Sequence, residues 1–272
     1  MTNSGTYLME NLDEAIRLEL KTDPEVLRQQ AIWSGLKPGF RVLDVGCGPG
    51  KTSSILHEMT GPGGALVGLD FSQERIGYAR KHYGNKPDIE FHVRDFTSPL
   101  DGLGYFDLIW VRFVLEYHRT ESLRIVENLT SLLKPGGTLC LLDLDHNCLN
   151  HYELPAPMEQ VLFGVMALLE KKYDFDPYAG RKLYSYMYDL RYHDIQMDLM
   201  AHHLIYGELG DVDAFNWLKK MAVVSTKARK IFEEYPGGRD KFLSDFTTFL
   251  NDPRRFTYTP LILCKCVKPV AV

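Results

Sequence analysis

Five short apolar runs constrain this chain more than any other feature. RVLDVG (41–46), ALVGLD (65–70), IEFHVRD (89–95), FDLIWV (106–111) and TLCLLDLD (138–145) read as strands buried on both faces. Helical patterns lie between them. Thr120 is placed to cap a helix carrying Leu123, Val126, Leu129 and Leu132, a stripe that stops at Lys134-Pro135-Gly136-Gly137. Strand and helix in alternation imply an α/β fold, with a mostly parallel, doubly wound sheet, right-handed crossovers and helices on both faces. In such sheets ligands bind beyond the carboxyl ends of the strands.

The flanks extend this plan. Residues 11–34 have a helical pattern that Pro24 divides. After the fifth strand comes an aromatic- and methionine-rich stretch ending in DFDPYAG (174–180). GRKLYSYMYDL (180–190) then reads as a helix, DIQMDLMAHHLIYG (194–207) as a sixth strand, about 211–250 as a helical excursion, and TPLILCKCV (259–267) as the last strand. We therefore expect a single domain over 1–272. Within it, 1–36 is an N-terminal helical segment, 37–145 a ligand-binding core, 146–179 and 208–256 cap insertions, and 180–207 and 257–268 the return to the sheet.

Bulk composition narrows the partners. At 272 residues and 45% hydrophobic content the chain can bury one large core. Thirty-one Lys and Arg against 36 Asp and Glu give a net charge of -5 with no strongly basic tract, which argues against nucleic acid or an anionic membrane as main partner. Five cysteines do not form a secreted disulfide framework, so a reducing, cytoplasmic setting is expected. Cys264 and Cys266 would face one side of a strand, where two buried small side chains are favoured over a metal site. The N-terminal stretch has no apolar leader core, and no run has the length of a membrane span.

The stretch VLDVGCGPGKT (42–52) follows the first strand. A phosphate-binding loop would need glycine at the position of Val45, and a dinucleotide turn would need glycine at the position of Lys51. What stands here is Asp44-x-Gly46-x-Gly48-x-Gly50.

With that loop, the acid Asp70 in LVGLDFS, Arg94-Asp95-Phe96, FDLIWVRFVLEY and LKPGGTLCLLDLD, the chain resembles the class I S-adenosylmethionine-dependent methyltransferases, in particular the small-molecule, quinone-biosynthesis-like group. The resemblance implies a Rossmann-like, seven-stranded sheet with an antiparallel last strand. It also implies S-adenosyl-L-methionine as cofactor and S-adenosyl-L-homocysteine as product. Asp70 would then hold the ribose hydroxyls and Asp95 the adenine amino group, with Phe71 on an adenine face and the Phe96 backbone at the ring edge. Gly46, Cys47 and Gly48 would form the loop under the methionyl part, Asp44 would meet its ammonium group, and Val111, Arg112 and Tyr7 would complete the cofactor set. The carboxylate for Arg112 is either the cofactor's own or Glu116. The family's Leu-Glu-His after the fourth strand is Leu115-Glu116-Tyr117 here.

The two insertions would stand over the ligand edge and shape a pocket for a small, largely apolar or aromatic acceptor. Tyr152, Phe163, Met166, Tyr173, Phe175 and Tyr178 would either line that pocket or form a second small core. His146, beside Asp145, is the candidate general base, with His118, His151, His202 and His203 as rivals. Three alternatives stay open on the sequence: methylation of a protein or peptide, binding of the cofactor without catalysis, and NAD-dependent oxidoreduction.

Overall fold

The computed structural model describes residues 22–270. Seven strands form one sheet in the order β3-β2-β1-β4-β5-β7-β6. They are β1 (Arg41–Val45), β2 (Ala65–Asp70), β3 (Ile89–Val93), β4 (Phe106–Arg112), β5 (Leu133–Leu144), β6 (His193–Ile205) and β7 (Thr257–Val267). Strands β1 to β5 pair in parallel, and β7 lies antiparallel between β5 and β6. This is the mixed sheet expected from the sequence.

Strand alternation divides the core into two layers. Leu139 and Leu141 of β5 pack on one face with Ile125, Val126 and Leu129 of α4 (Ser122–Ser131) and with Leu183 and Met187 of α6 (Leu183–Asp189). Cys140, Leu142 and Leu144 pack on the other face with α1 (Pro24–Ser34), α2 (Lys51–Thr60) and α3 (Gln73–Tyr83). Cys264 and Cys266 are fully buried, as expected of small core side chains. Helix α1 begins where Pro24 divides the pattern. Proline suits a first helical turn, and the Asp23 carboxylate accepts from the Glu25 and Val26 N–H groups, at 2.8 and 3.4 Å.

Two local expectations are corrected. Thr120 is not the cap of α4, whose cap position is Glu121; its N–H and hydroxyl donate instead to Asp174 Oδ2 at 3.0 and 2.8 Å. Nor does Lys134-Pro135-Gly136-Gly137 stop that helix, which ends at Ser131. The tetrapeptide opens β5, and the pairing with β4 shifts register between Phe106 and Leu108. Proline is tolerated there because the ladder is irregular.

The insertions build a third core from α5 (Ala156–Tyr173), α7 (Asp211–Lys227), α8 (Arg229–Glu233) and α9 (Gly238–Asn251). Met166 and Phe175 are buried in it and Tyr173 packs against it, whereas Tyr152 and Phe163 are exposed. For these cap aromatics the second-core reading holds for the buried members. No described helix is long and apolar enough to cross a membrane.

Candidate functional site

The loop after β1 is bent by three left-handed glycines, Gly46 (φ 70°), Gly48 (φ 54°) and Gly50 (φ 96°). A Cβ on Gly46 would lie 2.3 Å from Val114 Cγ2, and one on Gly50 2.9 Å from Ala79 Cβ. The bend is therefore demanded by packing as well as by dihedral angle. The Cys47 N–H donates to the Leu69 carbonyl at 2.9 Å, and the Gly48 N–H donates to Asp70 Oδ2 at 3.0 Å. Cys47 itself is buried. The loop is thus tied to the end of β2 by the acid assigned to the ribose.

Asp70 is buried and already engaged. Its Oδ1 accepts the Ser72 N–H at 2.9 Å and lies 3.1 Å from the Arg75 guanidinium. Arg75 also stands 4.9 Å over the Phe71 ring, which is 37% exposed. Asp95 is exposed and accepts from the Thr97 N–H and hydroxyl at 2.9 and 2.6 Å. Burial by itself would raise the Asp95 pKa, but the Thr97 hydrogen bonds outweigh it and hold it below the usual value. The Phe96 side chain belongs to the core, edge-on to His118 at 5.5 Å, and its carbonyl accepts from Asn128 Nδ2 at 3.3 Å. Val111 is likewise a core side chain.

Beneath the loop, Asp44 is buried and accepts a 2.6 Å hydrogen bond from Ser53 Oγ. Burial raises its pKa to about 7, against the opposing effects of the Ser53 bond and the Arg112 charge. Arg112 is lowered by burial to about 10 and held up by Asp44 and Asp143, so it stays charged near neutrality. The acids whose charge acts on it are therefore Asp44 and Asp143. Glu116 instead accepts from Asn147 Nδ2 at 2.8 Å, and its N–H donates to Asp143 Oδ2 at 3.2 Å. Burial, and then the neighbouring Glu116, push the Asp143 carboxyl well above the usual range. Among the described residues Arg112 Nε is buried without a hydrogen-bond partner.

His146 follows β5 in a left-handed conformation, φ 48°, with its ring 5.1 Å from that of Tyr178. Asp145 does not orient it, because both Asp145 oxygens accept from Arg181, at 2.7 and 2.9 Å. His151 sits between Thr257 Oγ1 (2.9 Å) and the Cys148 carbonyl (3.2 Å), and burial lowers it to about 4. That makes it a neutral structural group. His202 lies against Phe113 and His203 against Thr259. Tyr7 lies outside the described residues.

Sequence reasoning missed Ser53, Arg75, Asn147 and Asp143. Arg75 left a readable trace, one turn into the helix that follows Asp70, but its pairing did not. Asn147 and Asp143 join Glu116 only through the fold.

Residues 36–190 match the family model described as a methyltransferase domain, more than half of the chain. The chain belongs to this methyltransferase family. Among curated relatives of the domain, it is 29% identical over 117 residues to a demethylmenaquinone methyltransferase of Lactococcus lactis, covering 42% of this chain and 46% of that one. It is 34% identical over 110 residues to a ubiquinone biosynthesis O-methyltransferase of Xanthomonas campestris, covering 40% and 44%. The matched region thus spans less than half the length of these relatives. The fold is shared with the YcgJ protein of Bacillus subtilis (TM-score 0.61, 16% identity, 92% of this chain and 100% of that one). It is shared too with the cyclase SpnF (TM-score 0.55, 17% identity, 91% and 82%), so fold by itself does not name the reaction.

Proposed function

We propose that this methyltransferase moves the methyl group of S-adenosyl-L-methionine to a small, largely apolar or aromatic acceptor. The observation that carries the reading is the pairing of opposite charges under the glycine loop. Asp44 suits the cofactor's ammonium group, and Arg112, with its buried Nε unsatisfied, suits a carboxylate. An amino acid head group presents both. The same pairing is foreign to a triphosphate or a pyrophosphate, which calls for N–H groups and cations alone.

The remaining assignments follow the loop. Gly46, Cys47 and Gly48 offer backbone to the methionyl chain. Asp70 would hold the ribose hydroxyls, while Arg75, its ion-pair partner, stands over the Phe71 ring. Asp95 and the Phe96 backbone meet the adenine edge, and Val111 closes the floor. Bound here, the cofactor supplies an electrophilic methyl group on a sulfonium.

Transfer is a displacement in line with the leaving sulfur, so the chain's contribution is alignment in a dry site. The core over 37–145 fixes the donor, and the insertions 146–179 and 208–256 cover the acceptor. His146 accepts the proton when the acceptor carries one that must leave. We place the protein in the cytoplasm, a reading supported by five buried thiols with no disulfide among them. A small metabolite, with no nucleic acid, is the proposed partner.

The test is transfer of labelled methyl from the cofactor to a panel of phenols, hydroquinones and peptides. Label in a small aromatic product supports the reading. Label only in peptides, or none despite cofactor binding, overturns it.

A further inference from the structure

We infer that Arg255 is the seat of a carboxylate carried by the methyl-accepting substrate, which makes that substrate a small organic acid with an apolar or aromatic body. The inference rests on the methyl-transfer reading above.

Arg255 stands just before β7. Strand β7 runs antiparallel to β5, with Leu261 opposite Leu144, so its first residues lie beyond the carboxyl edge of the sheet, where ligands bind in such folds. The arginine is 3% exposed, and its Nη1 donates to the Gly207 carbonyl at 3.1 Å. Its Nε and Nη2 are buried and have no hydrogen-bond partner among the described residues.

Those two nitrogens form the side edge of the guanidinium, the fork that takes both oxygens of one carboxylate. Elsewhere in this chain the same edge is filled, since Arg181 Nε and Nη2 hold the two oxygens of Asp145 at 2.7 and 2.9 Å. For Arg255 the chain supplies no such acid. The charges of Asp213 and Asp252 act on it, yet among the described residues neither forms an ion pair with it. Asp252 Oδ1 accepts the Arg254 N–H instead, at 2.9 Å. A guanidinium can only donate, and a buried donor left unmet is costly, so the fork suits an anion that comes from outside the fold.

The neighbouring groups are also rich in donors. Asn216 and Trp217 follow Asp213 by three and four residues on α7 and share its face. Both are buried, and Trp217 Nε1, which can only donate, has no partner among the described residues. Asn150 Nδ2 is a second such donor, and the Asn150 carbonyl ties it to the start of β7 by accepting the Tyr258 N–H at 3.2 Å. Asn216 Oδ1 is unmet as well, on an amide that can present either end. Ile205, Met221 and Phe246 belong with Trp217 to the cap core. In apolar surroundings a charge-assisted pair is strongest, and a neutral group is told apart from a carboxylate most sharply.

Benzoate and benzamide share a planar ring and differ in charge. Each is titrated calorimetrically into the full chain, with and without S-adenosyl-L-homocysteine. With that compound present, benzoate is expected to bind at least tenfold tighter than benzamide. Arg255→Met keeps the apolar stem and removes the charge, and it is expected to fold and to lose the preference. Arg255→Lys keeps the charge without the fork and is expected to retain only part of it. Equal binding of the two probes by the parent, or a parental preference in either variant, overturns the carboxylate seat. If Arg255→Met does not fold, as circular dichroism shows, Arg255→Lys decides alone. Benzoate preference in a parent that does not bind S-adenosyl-L-homocysteine fails the donor reading and leaves the seat standing.

Discussion

Ser53 Oγ donates a 2.6 Å hydrogen bond to Asp44 Oδ2 under the glycine loop. The bond favours the ionised carboxylate, yet burial wins and leaves the group near a pKa of about 7. The folded state thus keeps a proton that the unfolded chain, near 3.8, has lost. Stability from this group is greatest below pH 4 and falls as the pH rises toward 7. In Asp44→Asn that slope disappears. The variant should gain on the order of 3 kcal/mol over the parent at pH 7 and little at pH 4, in urea titrations at both pH values. An unchanged pH dependence would refute the assignment.

The same proton couples to the ligand. A cofactor ammonium favours ionised Asp44, so the affinity for S-adenosyl-L-homocysteine should strengthen as pH rises from 5 to 7 and level off above, by no more than about tenfold per unit. Asp44→Asn should bind weakly at every pH. Calorimetry across that range measures both effects, and a flat parental profile counts against contact between Asp44 and the ammonium.

Asp70 has a double role, because it anchors Gly48 and pairs with buried Arg75. Asp70→Ala should weaken cofactor binding by about 1.5–3 kcal/mol, the scale of a hydrogen bond to a charged group. It should also destabilise the fold by about 3–5 kcal/mol, because Arg75 is left charged and buried. Arg75→Met in the Asp70→Ala background should restore stability but not affinity. Full recovery of affinity in the double variant would remove Asp70 from the ribose site.

Gly46→Ala meets two separate penalties, a left-handed backbone and a 2.3 Å approach to Val114. Each is worth about 1–3 kcal/mol. Val114→Ala removes only the second, so the double variant should recover part of the loss, and thermal unfolding of all four proteins measures the coupling. Strict additivity would show that the clash is relieved elsewhere.

Much of this architecture was legible because strands buried on both faces leave uninterrupted apolar runs, and RVLDVG and FDLIWV appear as β1 and β4 at nearly those bounds. Asp44, Asp70 and the glycines were legible because their spacing along one loop is local. What could not be read was pairing across the fold. Thr120 fits a helix cap until Asp174, arriving from the cap insertion, takes its hydroxyl. Asp145 adjoins His146 in sequence, yet both its oxygens accept from Arg181, 36 residues away. The division of the cap aromatics into core and surface depends on α5, α7 and α9 meeting, and no single segment shows it.

His146 stands free of Asp145, so its role rests on position at the sheet edge. With a phenolic acceptor, His146→Ala should lower kcat by about 10²–10⁴ and leave cofactor affinity unchanged. Parental turnover would return His146 to a structural role against Tyr178.

The central claim is that the loop from Asp44 to Gly50 holds an adenosyl amino acid. Calorimetric titration of the protein with S-adenosyl-L-methionine, S-adenosyl-L-homocysteine, NAD and ATP tests it most directly. The account predicts saturable binding of the two adenosyl compounds, weakened in Asp70→Ala, and no binding of NAD or ATP. Micromolar binding of NAD or ATP with none of the adenosyl compounds would contradict it.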